Sequence, residues 1–295
     1  YAAKMKATLE ARAPKTALFA CEAGKIERGG SCVDEFTLKF SASNPAKDIT
    51  VKVLAVGTNG AVVVDKDDLA TVSSEDAQAL LTKFDTIIAP RDHALFGSPV
   101  IDGTDYADAD GDGKRLIVFS HLVADLNAVG FFYNQDFLKE GGNGNVSDLL
   151  WVVPPSADNP LDSIYGTVAH EYLHLLEYGV KTVRNGVEEE RFLAESLAHL
   201  AEDATGFGID NVDAVWSYLS AADKTSWAFS DDSVETRGMG FMMMRYWFEQ
   251  KGGVGYSGSD PAALTDKGGA AFLTGIVRSK KAGFAAMDEA FGDSV

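Results

Sequence analysis

The segment Val168-Ala169-His170-Glu171-Tyr172-Leu173-His174-Leu175-Leu176-Glu177-Tyr178-Gly179 decides how the rest of the chain is interpreted. It contains the spacing His-Glu-x-x-His within an apolar pattern that is typical of a buried helix. Two imidazoles four residues apart lie on one helix face, so their ring nitrogens can converge on one metal ion. Glu171 is placed to hold and deprotonate a metal-bound water. The pattern predicts a zinc site, and the alternative is two histidines that pack or cap a helix.

A catalytic zinc site needs a third protein ligand and one open coordination position. Glu195 offers that ligand, because it follows His174 by one loop and lies in a second segment of helical pattern, Arg191 to Asp203. The loop contains Gly186 and is long enough to turn the second helix antiparallel to the first. The combination resembles the gluzincin metallopeptidases, in which His-Glu-x-x-His is followed by a glutamate on the next helix.

The order of several further segments resembles the hyicolysin family of bacterial secreted zinc peptidases. The resemblance covers roughly residues 60 to 250, and within it the zinc motif is the specific part. The other segments agree in order and spacing, and they are Phe84-Asp85, Phe96-Gly97, an Asp-rich turn followed by a strand, and Gly130-Phe131-Phe132.

This resemblance implies a role for each matching residue. His170, His174 and Glu195 take the positions of the zinc ligands, and Glu171 takes that of the general base. Many gluzincins have an aspartate four residues after the ligand glutamate, where this chain has His199, and another branch has a carboxylate seven residues on, which Glu202 matches. Both residues therefore remain open as the partner of the first ligand histidine.

The resemblance and the strand patterns together predict an α+β protein. Residues 1–65 are predicted to form a small, sandwich-like β module. Residues 66–295 are predicted to form a gluzincin, thermolysin-like catalytic domain with a mixed sheet and a helical C-terminal subdomain. The edge strand that borders the substrate cleft is expected at either Ala128 to Asp136 or Asp148 to Pro155.

Cys21 and Cys32 are the two cysteines of the chain. Each borders a predicted strand, Thr16 to Ala20 before and Phe36 to Phe40 after, so a hairpin would bring the thiols together. We therefore predict a disulfide, which indicates an oxidising compartment. The alternative is two unpaired thiols in a small sheet.

The stretch Asp108-Ala109-Asp110-Gly111-Asp112-Gly113 has the alternating aspartates of a calcium loop. It is not a complete EF-hand, because the twelfth position is Phe119 rather than a glutamate. Asp108, Asp110 and Asp112 are thus candidate calcium ligands. The alternative is an acidic turn without metal that leads into the predicted strand Leu116 to Phe119.

Amide hydrolysis also needs a hydrogen-bond donor for the developing oxyanion. In gluzincins this donor is usually a downstream tyrosine or histidine, and no histidine follows His199. Tyr256 and Tyr246 are the candidates, and Tyr256 is preferred because the neighbouring glycines indicate a flexible loop. The alternative for Tyr246 is simple packing.

Composition limits the classes of partner. The chain has 26 basic and 44 acidic residues and a net charge of -18, which disfavours nucleic acid and anionic membranes. It has no run of eighteen apolar residues, so we expect no insertion into a membrane.

We therefore expect a secreted, cell-surface or periplasmic bacterial zinc endopeptidase that acts on proteins or peptides. The alternatives are an aminopeptidase, which usually carries a Gly-x-Met-Glu-Asn type segment that is absent here, and a metal-stabilised surface protein or adhesin.

Overall fold

The computed structural model describes residues 2–11, 21–137, 144–228, 232–256 and 263–292. Within these ranges the α-helices are α1 (Ala2–Glu10), α2 (Ser74–Lys83), α3 (Ala89–Phe96), α4 (Leu161–Glu177), α5 (Arg191–Thr205), α6 (Asn211–Ser220), α7 (Val234–Gln250), α8 (Gly269–Arg278) and α9 (Gly283–Phe291). The strands are β1 (Ile26–Arg28), β2 (Ser31–Val33), β3 (Glu35–Phe40), β4 (Lys47–Val56), β5 (Gly60–Asp65), β6 (Val100–Ile101), β7 (Thr104–Asp105), β8 (Arg115–Phe119), β9 (Gly130–Phe132), β10 (Leu149–Val152), β11 (Val254–Tyr256) and β12 (Leu264–Asp266). The α+β class is confirmed, whereas the strand predicted at residues 16–20 lies outside the described residues.

The main sheet has six strands in the order β3-β4-β5-β8-β10-β9. It is mixed, because β5, β8 and β10 run parallel to one another while the strands at both ends of the order pair antiparallel. Every residue of β5, β8 and β10 is buried, as expected for central strands covered on both faces. At one end of the described sheet, β9 pairs with β10, and no other described strand pairs with its second edge.

The sheet crosses the predicted domain boundary at residues 65 and 66. Strand β5, which ends at Asp65, pairs in parallel with β8, and the register joins Gly60 to Arg115 and Val64 to Phe119. Residues 35–65 therefore share one sheet with residues 115–152 and do not form a separate sandwich. The physical reason is that β5 is fully buried, so the backbone N–H and C=O groups along both of its edges need hydrogen-bond partners, which β4 and β8 provide.

Alternate residues of the central strands face two hydrophobic cores, as strand geometry requires. One core lies between the sheet and the helices, and its central-strand members include Val62, Val64, Ile117, Phe119, Leu150 and Val152. The other lies on the opposite face and includes Ala61, Val63, Leu116, Val118, Leu149 and Trp151. The sheet is therefore a rigid layer on which the helices that carry the zinc motif are packed.

Helix α4 is buried over most of its surface, with 12 of its 17 residues buried. Helix α4 does not end at Gly179, because a π-helical turn, Tyr178–Arg184, continues it. Gly179 serves close packing instead: a Cβ there would collide with the backbone of Tyr106. The motif helix is thus held tightly at its C-terminal end.

The helix after the motif helix runs antiparallel to it, as predicted. Tyr165 contacts Phe207, His170 contacts Glu202 and His174 contacts Glu195, so the partners descend as α4 ascends. Gly206, with a φ of 90°, ends α5 in the left-handed conformation that favours glycine.

The disulfide between Cys21 and Cys32 is confirmed, with a Cα–Cα distance of 5.5 Å. It joins the chain before β1 to β2, which pair as an antiparallel hairpin. No helix among the described residues is long and apolar enough to cross a membrane.

Candidate metal centre

Helix α4 presents His170 and His174 on one face. Their ring centroids are 4.8 Å apart, and His174 is the more exposed of the two. Glu195, in the second turn of α5, approaches both: Oε2 lies 3.4 Å from His170 Nε2 and Oε1 lies 3.7 Å from His174 Nε2. One ligand atom from each of the three residues lies within 4.8 Å of the others. The structure therefore brings the three predicted zinc ligands together.

This set of donors fits zinc. Two imidazole nitrogens and one carboxylate are the protein ligands of a catalytic zinc site with one open position. Glu195 Oε2 is buried and accepts no hydrogen bond from the described residues, so it is a polar atom whose cost of burial a cation would offset. The side chains of His174 and Glu195 stay 18% and 12% exposed, which leaves the centre open to small ligands.

Glu202 fixes the orientation of the first ligand. Its Oε1 lies 2.6 Å from His170 Nδ1, so the ring donates from Nδ1 and turns Nε2 toward Glu195. Glu202 is therefore the carboxylate partner of His170, and it is the residue seven positions after the ligand glutamate. His199 lies behind this pair, with its ring centroid 4.7 Å from that of His170.

A second set of donors shares His170. It consists of His170, His199 and Glu202, all of them buried. The hydrogen bond from His170 to Glu202 already uses the ring nitrogen that faces this set. The set with Glu195 has the better access to solvent and the better orientation for a catalytic metal.

The charges around the ligands favour a cation. Burial lowers the pKa of His170, but the carboxylates of Glu171, Glu195 and Glu202 outweigh burial and raise it well above 6.5. Burial lowers the pKa of His174, which keeps this imidazole neutral, as a metal ligand must be. Burial raises the pKa of Glu195, but the close approach of His170 and the positive charges of His174 and Arg237 outweigh burial, so that the net pKa is below its ordinary value. Glu195 is thus ionised.

Glu171 contacts the edge strand of the sheet. Its Oε2 accepts a hydrogen bond of 2.8 Å from the backbone N–H of Phe132 in β9. Gly130 allows this close approach, because a Cβ at that position would collide with Thr167 of α4. Of the two segments predicted as the edge strand, the one that contains β9 is at the edge and the one that contains β10 is internal.

Arg237 of α7 is a residue that the sequence analysis missed. Its guanidinium makes a bidentate pair with Asp232, through Nε at 2.6 Å and Nη2 at 2.7 Å, and Nη2 lies 3.8 Å from Glu195 Oε2. Among the described residues it is the one lysine or arginine that pairs with a predicted zinc ligand. No local motif marks it, since it lies on a helix far along the chain from the His-Glu-x-x-His motif.

The structure does not bring Tyr256 or Tyr246 to the ligands. The Tyr256 hydroxyl donates to the carbonyl of Ala204, and its ring packs on Arg91. Ala204 is about two and a half helical turns beyond Glu195. Tyr246 follows Arg237 by a similar length of α7, and its side chain is half exposed.

The predicted calcium ligands are brought together in part. Ligand atoms of Asp108 and Asp110 lie within 4.8 Å of each other and of Asp148, which the sequence analysis did not include. Asp112 is outside this tightest group, although it is buried beside it.

No model of a known protein family matches the chain, and no curated protein matches it. The likeness to the hyicolysin family therefore depends on the zinc motif and on the order of the segments around it. The geometry of the site is the independent observation.

Proposed function

We propose that the protein is a secreted, zinc-dependent endopeptidase of the gluzincin type, similar to the hyicolysin family. One observation carries the proposal: His170 and His174 of α4 and Glu195 of α5 converge on one point. Glu171 lies next to that point on α4, and Glu202 orients His170 from behind. A purely structural metal site has no need of Glu171.

Glu171 is the general base in this proposal. Zinc, when bound, polarises the scissile carbonyl and acidifies a water. The N–H of Phe132 occupies Glu171 Oε2 and orients the carboxylate, which leaves Oε1 to accept a proton from the attacking water. The new C–O bond forms as the water attacks the carbonyl carbon and gives its proton to Glu171. Glu171 then returns this proton to the amide nitrogen, and the C–N bond breaks.

Strand β9 is the binding site for the substrate backbone. The N–H of Phe132 points away from β10, because it donates to Glu171. An extended peptide that pairs with the open edge of β9 would therefore pass directly beside Glu171. An open edge accepts the middle of a long peptide, which favours internal cleavage over trimming from one end.

Arg237 is the donor for the developing oxyanion in this proposal. Asp232 takes Nε and Nη2 in a bidentate pair, so the guanidinium is fixed before substrate arrives. Its Nη2 lies 3.8 Å from Glu195 Oε2, and this closeness to a predicted zinc ligand supports the role. An alternative role for Arg237 is to hold Glu195 in place through their mutual attraction.

The proposal is tested by incubating the protein with an unbiased peptide mixture and identifying the products by mass spectrometry. We expect cleavage at internal bonds, its loss with a chelator, and its return when stoichiometric zinc is restored. Products shortened only at the N-terminus would instead identify an aminopeptidase. Bound zinc without any cleavage would favour the metal-stabilised surface protein.

A further inference from the structure

The Asp-rich turn before β8 forms a cluster with the residue before β10. Asp108 and Asp110 come from the turn, and Asp148 comes from the segment that enters β10. The backbone holds the two parts together: the N–H of Ala109 donates to Asp148 Oδ1, and the N–H of Leu116 donates to the carbonyl of Asp148. The cluster is therefore built into the start of two central strands.

Two carboxylate oxygens in this cluster are buried without a hydrogen bond from any described residue. They are Oδ2 of Asp148, whose side chain is 0% exposed, and Oδ2 of Asp112, a residue that is 6% exposed. The other oxygen of each accepts a backbone N–H, from Ala109 and from Lys114. A buried oxygen without a partner costs free energy, and a carboxylate costs more than a neutral group.

The charges in the cluster do not balance. Its acidic members are Asp105, Asp108, Asp110, Asp112 and Asp148. The basic groups that face them are Arg28, 2.8 Å from Asp110, and Arg115, 2.7 Å from Asp105 and 3.7 Å from Asp148. Lys114 turns away to the carbonyl of Gly57. Five carboxyl groups against two guanidinium groups leave three formal negative charges.

We infer that this cluster binds a calcium ion and that Asp148 supplies the carboxylate that an EF-hand loop takes from its twelfth position. Calcium prefers six to eight oxygen ligands in flexible geometry, and the aspartates of this cluster supply carboxylate oxygens. Asp108 and Asp110 occupy the first and third positions of the loop, and Asp112 occupies the fifth. The twelfth is Phe119, a buried residue of β8, so the missing acid is provided from a neighbouring strand.

The ion would fasten together three parts of the chain. It would join the turn before β8 to the start of β10. Arg28, which pairs with Asp110 and donates to Ser147, connects the same point to the hairpin of β1 and β2 that carries the disulfide. The site is thus a structural one, separate from the proposed peptidase centre.

The effect of burial on the pKa of two of these carboxyl groups agrees with this inference. Burial raises the pKa of Asp112 to about 7, and the neighbouring charge of Asp110 adds to the effect. Burial also raises the pKa of Asp148 well above its ordinary value, with Asp110 again adding to it.

The test is a calcium titration of the full-length, zinc-loaded protein in calcium-free buffer, followed by calorimetry and by thermal unfolding. We expect one calcium per chain with a Kd on the order of 10⁻⁴ M or tighter, and no comparable response to magnesium at the same concentrations. Asp148→Asn should weaken calcium binding by about 10-fold or more, because affinity follows the charge of the ligand set. Asp110→Asn, a change at a more exposed ligand, should also weaken it.

The matched control is Asp92→Asn. Asp92 is equally buried, both its carboxyl oxygens lack a hydrogen bond among the described residues, and it belongs to no cluster of metal ligands there. The Asp92→Asn protein should bind calcium with the same affinity as the parent protein. Absence of calcium binding by the parent, an equal response to magnesium, or parent-like affinity in Asp148→Asn and Asp110→Asn would each overturn the inference. None of these results depends on peptide hydrolysis.

Discussion

Two of the clusters of potential metal ligands among the described residues, the one on α4 and α5 and the one before β8 and β10, differ in donors, in access and in neighbours. The cluster on α4 and α5 combines two imidazoles with Glu195 and remains partly open to solvent. The cluster at the start of β8 and β10 offers only carboxylates, and Asp148 within it is fully buried. The first has a further carboxylate, Glu171, beside it and an open strand edge, whereas the second has two arginines. Solvent access and a carboxylate that is not a ligand favour a catalytic role for the first cluster. Burial and oxygen ligands alone favour a role of the second cluster in stabilising the fold.

The largest expected effect is on zinc affinity, which should depend on the first cluster and not on the second. Glu195→Ala should lower zinc affinity by more than about 10²-fold, because even residues that only orient a metal ligand contribute 10- to 100-fold. Asp148→Asn should leave zinc affinity unchanged. Zinc is measured by competition with a chromophoric chelator, and folding by circular dichroism.

A folded Glu195→Ala protein that binds zinc as tightly as the parent would remove Glu195 from the ligand set. Loss of zinc from Asp148→Asn would show that the two clusters are not independent.

Arg237 offers the next comparison, between a donor and a positioning residue. As oxyanion donor, its change to glutamine should lower kcat by about 10²-fold while zinc remains bound. Arg237→Lys keeps the charge but loses the fork that pairs with Asp232, so partial activity is expected. The measurements are steady-state kinetics on one peptide and zinc content.

If Arg237→Gln instead lowers zinc affinity and leaves kcat per bound zinc unchanged, then Arg237 acts by holding Glu195. Tyr256→Phe is the matched control, and it should keep parent kcat because that hydroxyl bonds to Ala204.

Most residues of the candidate metal centre could be predicted from the sequence, because their spacing along two helices is local. His170, Glu171 and His174 are fixed by helical spacing, and Glu195 and Glu202 repeat at seven residues on one face of the next helix. The choice between His199 and Glu202 needed the structure, since both residues lie near His170.

The remaining site residues could not be predicted because they depend on tertiary contacts. Arg237 reaches Glu195 only when α7 packs against α5, and Asp148 reaches the Asp-rich turn only through the parallel pairing of β10 with β8. The glycines near Tyr256 suggested a mobile loop. They form a tight turn into the β11–β12 hairpin instead, which directs the tyrosine to the end of α5.

The strands of the fold were predictable one at a time, but not their order. The predicted strands Phe36 to Phe40 and Leu116 to Phe119 correspond to β3 and β8, and the segment Asp148 to Pro155 contains β10. Strand β5 pairs in parallel with β8 in the buried centre of the sheet. The residue pattern along one strand does not reveal which strand will be its neighbour.

The smallest expected effect is the pH dependence of the acidic cluster. Because the folded pKa of Asp112, about 7, exceeds its ordinary value, the stability that its protonation provides is present at low pH and is lost as the pH rises through 7. The charged groups that act on this residue are Asp108, Asp110, Asp148 and Arg28.

Calcium binds the ionised carboxylates, so its presence should remove this loss of stability at high pH. The Tm with calcium minus the Tm without it should therefore grow by a few degrees between pH 5 and pH 8. Other buried acids, such as Asp136 with a pKa of about 6, titrate in both series and cancel in the difference. A difference that does not change with pH would contradict the assignment of the titrating groups to the calcium site.

The measurement that tests the central claim most directly is hydrolysis by Glu171→Gln with zinc content determined on the same sample. Glutamine keeps the shape of the side chain and can still accept the Phe132 N–H, but it cannot take the proton from water. The account predicts parent-like zinc and fold with hydrolysis reduced by about 10² to 10⁴-fold. Zinc-bound Glu171→Gln protein that cleaves peptides at close to the parent rate would contradict it.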